Sequence, residues 1–252
     1  MRGDIAGTFD LDCIALFLDV DGTLLEFAPS PQTVVVPEGL VLSLARAESA
    51  LGGALALVSG RTVSDLDRLF QPLRTRASGV HGAEIRFDPM APAVFAERAV
   101  ALPGRMWRRL NAMLTDFPGA VAENKRFSFA VHYRAAPNLA ARLRDALRRF
   151  VCDEAPPDVE LIEGRLVYEL KARGFDKGMA VQRFMARPPF AGRTPIFVGD
   201  DATDEDGFAA VADLRGFAYS VGRSRPGATD AFADPTTVSQ WLDGFVTEQV
   251  RA

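Results

Sequence analysis

Five short runs of aliphatic and β-branched residues set the fold: IALFLDVD (14–21), ALALVSGR (54–61), SGVHGAEIRF (78–87), TPIFVGDD (194–201) and GFAYSVG (216–222). Near-continuous apolar strands are buried on both faces, as when helices cover both sides of a parallel sheet. Helical patterns lie between them, including EGLVLSLARAES (38–49) and TVSDLDRLF (62–70). This alternation predicts a doubly wound, mostly parallel α/β sheet, which presents its chemistry at the carboxyl ends of the strands. Three of the runs end there in Asp, Ser and Asp, consistent with one shared site.

The middle of the chain follows another rule. From about Leu102 to Lys171 the pattern reads helix, two strands, helix, two strands. Met106, Trp107, Leu110, Met113, Leu114 and Phe117 share one helical face, and Arg105, Arg108 and Arg109 its solvated side. In Phe127–Arg134, Phe127, Phe129, Val131 and Tyr133 alternate with Ser128, Ala130, His132 and Arg134. A second helix repeats Leu139, Leu143, Leu147 and Phe150. Leu166, Tyr168 and Leu170 then alternate with Val167, Glu169 and Lys171. A block this small has little core of its own. It is expected to be an α+β cap domain over 102–171, inserted into a core formed by 1–101 and 172–252, with hinges at Pro103 and Arg173-Gly174.

Composition excludes several classes. A chain of 252 residues, 48% hydrophobic and 25% charged, is ordinary for a folded protein, and its net charge of −4 points to neither nucleic acid nor an anionic membrane. No apolar run approaches the ~20 residues that span a bilayer. The opening MRGDIAGTFDLDC carries acids where a secretory signal needs a basic start and an apolar stretch. Cys13 and Cys152 form no metal-binding spacing and read as free thiols. The expectation is a cytoplasmic protein, monomeric, with no nucleic-acid or membrane partner.

Asp19 and Asp21 follow the first apolar run, and side chains two apart on an extended chain reach the same way. A second acidic cluster, GDDATDED (199–206), follows another strand. Two neighbouring carboxylate clusters repel unless a cation lies between them, and hard oxygen ligands favour magnesium. A calcium loop does not fit: with Gly207 at its sixth position, its first would be Ala202 and its twelfth Asp213 rather than Glu. Asp204–Asp206 also fit a solvated turn whose acids favour a helix N-terminus, whereas Asp200 sits at the very end of a buried strand. Lys177 opens the helical stretch KGMAVQRFMA, where a cation is disfavoured unless an anion is near. Ser59, at a strand end, suits a phosphate oxygen, a helix cap or a turn. No GxxxxGK[ST] loop or GxGxxG fingerprint is present.

DVDGTL (19–24), SGR (59–61), Lys177-Gly178 and GDDATDED (199–206) resemble, in order, the four motifs of the haloacid dehalogenase-like phosphatases. The insertion between the second and third motifs looks like that superfamily's C2-type cap. GVHGAE (79–84), ENK (123–125), AVHYR (130–134), VYELKARGFDKG (167–178) and GRTPIFVGDDATDEDGF (192–208) extend the likeness to the trehalose-6-phosphate phosphatases, from Phe17 to about Trp241. The resemblance implies hydrolysis of trehalose 6-phosphate with Mg2+. Asp19 would be the nucleophile forming an aspartyl-phosphate, kept ionised by a cation and Lys177. Asp21 would be general acid and then base, with the higher pKa of the two. Magnesium would be held by Asp19, the main-chain carbonyl of Asp21 and Asp200, with Asp201 and Asp204 as auxiliary residues. Ser59 and Lys177 would stabilise the phosphoryl oxygens. Glu123, Lys125 and Glu169 would bind the sugar, joined by His132 and Arg134 and, from the core, by Arg61, His81 and Glu84.

Three other readings stay open. A phosphatase for a different sugar phosphate would differ only in the cap. A phosphomutase would need a bisphosphate activator. A non-catalytic sugar-phosphate sensor would have no use for Asp21.

Overall fold

The computed structural model describes residues 10–27, 33–96 and 99–247. Most of the stretch considered as a secretory signal, 1–9, lies outside the described residues. In chain order the elements are β1 (Ile14–Leu18), α1 (Leu40–Ala50), β2 (Leu55–Val58), α2 (Val63–Leu69), β3 (Arg76–Gly79), β4 (Glu84–Arg86), β5 (Val94–Phe95), α3 (Gly104–Leu114) and β6 (Val121–Asn124). They continue with β7 (Ser128–His132), α4 (Ala140–Glu154), β8 (Val159–Gly164), β9 (Val167–Ala172), α5 (Lys177–Met185), β10 (Thr194–Gly199), α6 (Glu205–Asp213), β11 (Phe217–Val221), β12 (Asp230–Phe232) and α7 (Pro235–Thr247). No helix among the described residues is long and apolar enough to cross a membrane.

The chain divides into two compact units. The first unites the stretch through Phe27, Val34–Val94 and Asp176 onward; the second is built on Phe95–Phe175. In the first, an eight-stranded sheet runs β12-β11-β10-β1-β2-β3-β4-β5. From β12 to β3 every neighbouring pair is parallel. Every residue of β1 and β2 is buried, because helices shield both faces of the central strands. Phe17 packs with Phe184 and Phe190 at 6.0 and 5.4 Å between ring centres. With β1 flanked by β2 on one side and β10 on the other, the chain reverses its direction of travel across the sheet at β1, where such sheets carry their crevice.

The run 78–87 is not one strand. It folds back as β3 and β4, which pair antiparallel with Ser78 opposite Ile85. Val80, His81 and Gly82 turn the chain with φ of 47°, 52° and 99°, and only the Gly adopts such a φ without steric cost. A strand β12, absent from the sequence reading, extends the sheet beyond β11.

The second unit has a four-stranded antiparallel sheet, β6-β7-β9-β8. Met106, Leu110 and Leu114 of α3 and Leu143, Leu147 and Phe150 of α4 pack with Phe129, Val131, Tyr133, Tyr168 and Leu170 in one core. Leu166 is no strand residue: it has φ of 58° in the β8–β9 turn and is 36% exposed. This unit is wider than 102–171. Phe95 lies 4.9 Å from Phe127, ring centre to ring centre, with Arg126 4.6 Å over its face, and Arg173 N donates to Asp158 O at 2.7 Å. Pro103 is therefore internal, the residue that precedes α3, rather than a hinge at the unit's edge.

Candidate active site

Three parallel strands stop one residue short of a polar side chain: β1 before Asp19, β2 before Ser59 and β10 before Asp200. Asp19 N donates to Val198 O at 2.9 Å, so the ladder to β10 holds the residue that leaves the strand. The chain then turns at Gly22, with φ of 92° and its N–H bonded to Leu25 O at 2.7 Å. A Cβ on Gly22 would lie 2.3 Å from Asp200 Oδ2. The turn after β1 and the turn after β10 thus touch, and a glycine permits it.

Lys177 begins α5, behind an Asp176 that caps the helix by accepting from Met179 N at 2.7 Å. Its Nζ donates to Asp19 Oδ1 at 2.7 Å and to Asp204 Oδ1 at 2.6 Å, and it is 3% exposed. These are the anions that a cation at a helix N-terminus calls for. Asp204 is fully buried, not a solvated cap. Its Oδ2 accepts from Asp200 N and Asp201 N, each at 2.9 Å, which winds the loop around it. Asp201 caps that loop, accepting from Thr203 N and Oγ1 at 2.7 Å.

Asp19, Asp200 and Asp204 bring carboxylate oxygens within 4.8 Å of one another, with one lysine between them. Burial drives Asp19 well above the usual carboxylate range; Lys177 opposes this, while Asp204 and Asp200 add to it. Burial, then the charges of Asp204 and Asp201, push Asp200 up to about 7. Asp204 is raised by burial against the pull of Lys177. Asp201 goes the other way: burial would raise it, but Lys177 and the Thr203 bonds hold it below its ordinary value. Lys177, which burial alone would lower, is raised well above its usual value by Asp19 and Asp204. So Lys177 alone does not offset what burial and two neighbouring acids do to Asp19. Three crowded carboxylates against one ammonium leave a deficit of positive charge, which a cation at this donor set would supply.

Asp21 does not join the triad. Its oxygens pair with Arg61, Nε to Oδ2 and the second guanidinium nitrogen to Oδ1, both at 2.6 Å. Ser59 is buried, and its Oγ accepts from Arg61 N at 3.2 Å, shaping its own turn. That turn is tied to the β3–β4 turn by Val80 N to Arg61 O at 2.9 Å and His81 N to Ser59 O at 3.1 Å. Gly60 leaves room for the His81 ring: a Cβ there would lie 2.7 Å from Nε2. Glu84 opens β4, and its Oε2 accepts from Val63 N at 2.8 Å. That bond satisfies a helix N-terminus.

In the second unit, cross-strand register sets Glu123, Ala130 and Glu169 side by side on the face opposite the core. Glu123 Oε2 meets His132 Nε2 at 2.9 Å. Glu169 accepts from Ser128 Oγ, and its Oε2 lies 3.5 Å from Lys125 Nζ. Lys125 and Glu169 are buried, and Arg134 is half-buried just beyond β7. The acids of this face are thus paired, Glu123 with His132 and Glu169 with Ser128 and Lys125, rather than left to solvent. The expected residues therefore gather in two groups, one in each unit.

The family model described as trehalose-phosphatase matches residues 17–234. The trehalose-6-phosphate phosphatase of Escherichia coli strain K12 is 40% identical over 233 residues, covering 92% of this chain and 86% of that protein. A Sinorhizobium fredii protein named "Probable trehalose-phosphate phosphatase" is 41% identical over 217 residues, 86% of this chain and 81% of its own. Among solved structures, the C-terminal domain of the Candida albicans trehalose-6-phosphate phosphatase superposes with a TM-score of 0.83 at 20% identity, covering 94% of this chain and 92% of that one.

Proposed function

Since the chain belongs to the trehalose-phosphatase family, a family of enzymes, we propose that the Asp19–Asp200–Asp204 crevice hydrolyses trehalose 6-phosphate through an aspartyl-phosphate on Asp19. The observation that carries this reading is the buried triad with its single lysine. Within it, Asp19 and Asp200 offer oxygen donors for a hard divalent cation, and Asp19, at a strand end, is also the nucleophile.

Asp19 attacks phosphorus with the oxygen that Lys177 does not hold, and the bond from phosphorus to the sugar oxygen breaks. Lys177 and Ser59 stabilise the negative charge on the phosphoryl oxygens. Asp21 delivers a proton to the departing sugar oxygen. Water then attacks phosphorus, Asp21 takes a proton from it, and the bond to Asp19 breaks to release phosphate. Each Asp21 oxygen is aimed at Arg61, so proton transfer requires that ion pair to open. Magnesium, which neutralises phosphoryl charge when bound, fits the carboxylates of Asp19 and Asp200 with the main-chain carbonyl of Asp21. Asp204, its oxygens already taken by Lys177 and two N–H groups, shapes the Asp200 loop.

The polar face of the second unit reads the sugar. Glu123, Lys125, Glu169 and His132 offer the donors and acceptors that a neutral, hydroxyl-rich disaccharide needs, and His132 Nδ1 is buried without a hydrogen-bond partner among the described residues. Glu84 is committed to Val63 and enters as a support. The test compares trehalose 6-phosphate, glucose 6-phosphate and an aryl phosphate. Wild type should favour the disaccharide. Alanine at Glu123, Lys125 or Glu169 should cut kcat/KM for it roughly ten- to a hundredfold, with a far smaller loss on the aryl phosphate. Equal losses on both, or preference for glucose 6-phosphate, would refute the sugar assignment.

A further inference from the structure

Arg225 stands outside every motif considered so far, yet it reaches the candidate cation site from behind. It opens a tight turn, Arg225-Pro226-Gly227-Ala228, closed by Ala228 N to Arg225 O at 3.1 Å with Gly227 at φ 82°. Pro in the second place and a positive-φ Gly in the third are the residues a type II turn demands, so the loop after β11 is locally fixed. From it the guanidinium crosses to the loop after β10. Nε donates to the main-chain O of Asp200 at 2.6 Å, and a terminal nitrogen pairs with Glu205 Oε1, at the start of α6, at 3.2 Å. The side chain is 11% exposed. Asp200 is thereby gripped along its length: its N–H by Asp204, its carbonyl by Arg225, its carboxylate against Gly22.

We infer that Arg225 is a positioning residue for the cation site, holding the Asp200 peptide so that its carboxylate faces Asp19 and adding a positive charge behind a crowded set of acids. The inference rests on the reading of the triad as that site. A peptide free to rotate would let the Asp200 carboxylate drift from its neighbour, and cation affinity falls steeply when such outer contacts are lost.

Calorimetric titration of Mg2+ into the substrate-free protein tests it. Arg225→Ala should bind roughly 10- to 100-fold more weakly than wild type, and in turnover assays the metal concentration needed should rise more than maximal rate falls. Arg225→Lys, which keeps the charge but not the two-sided grip, should recover part of the affinity; it also decides the matter if the Ala variant does not fold. Wild-type affinity in Arg225→Ala, or in Arg225→Lys where the Ala variant is unfolded, overturns the inference. Absence of Mg2+ binding by wild type would instead overturn the cation site itself.

Discussion

At the scale of single residues, the site depends on a missing side chain as much as on the acids. Gly22 has φ of 92° and lies where a Cβ would strike Asp200 Oδ2 at 2.3 Å and Asp200 Cγ at 2.5 Å. Gly22→Ala should therefore displace Asp200, raise the Mg2+ requirement, and cost stability by roughly 1–3 kcal/mol through backbone strain. Turnover against metal concentration checks the first effect and thermal melting the second. An unchanged metal requirement would show that the two turns do not depend on this contact. Nothing local in the sequence discloses that Gly22 lies against Asp200, because that contact joins positions far apart in the chain. The Arg61–Asp21 pair was illegible for the same reason. Two acids spaced i and i+2 suggest a common direction, yet the regular strand ends at Leu18, and the alternation rule ends with it.

At the scale of elements, the loop from β10 to α6 concentrates charge that the fold alone leaves unbalanced. Asp200, near 7, together with the raised Asp19 and Asp204, binds protons more tightly in the folded than in the unfolded chain. Stability then falls as pH rises wherever the native state holds the extra protons. For Asp200 that window runs from about 4 to about 7, the reverse of the usual carboxylate case. Metal-free protein should therefore melt at a lower temperature at pH about 8 than at pH about 6, and saturating Mg2+, which favours the charged acids, should shrink that difference. The same pH dependence with and without Mg2+ would argue against a cation at these acids. Acid clustering around a strand end was plain in GDDATDED, but division of labour within it was not. Asp204 looked like a solvated helix residue because nothing local shows that Lys177 lies beside it.

At the scale of the whole chain, the sequence disclosed what depends on period and missed what depends on turns. Buried runs announced the parallel strands, and alternation separated the apolar from the polar face of the β6-β7-β9-β8 sheet. The reversal at Val80–Gly82 was hidden because Val and His sit at positive φ, where turn chemistry predicts Gly or Asn. The second unit's bounds were missed because Phe95 and Arg173 are fixed by contacts, not by pattern. The role of Asp19 as nucleophile of a metal-dependent phosphatase is tested by phosphate release from trehalose 6-phosphate by wild type and Asp19→Asn. Wild type should release phosphate with Mg2+, with only background release in excess chelator or by Asp19→Asn, whose fold and Mg2+-free melting are followed in parallel. Release by Asp19→Asn within about tenfold of wild type would contradict that role.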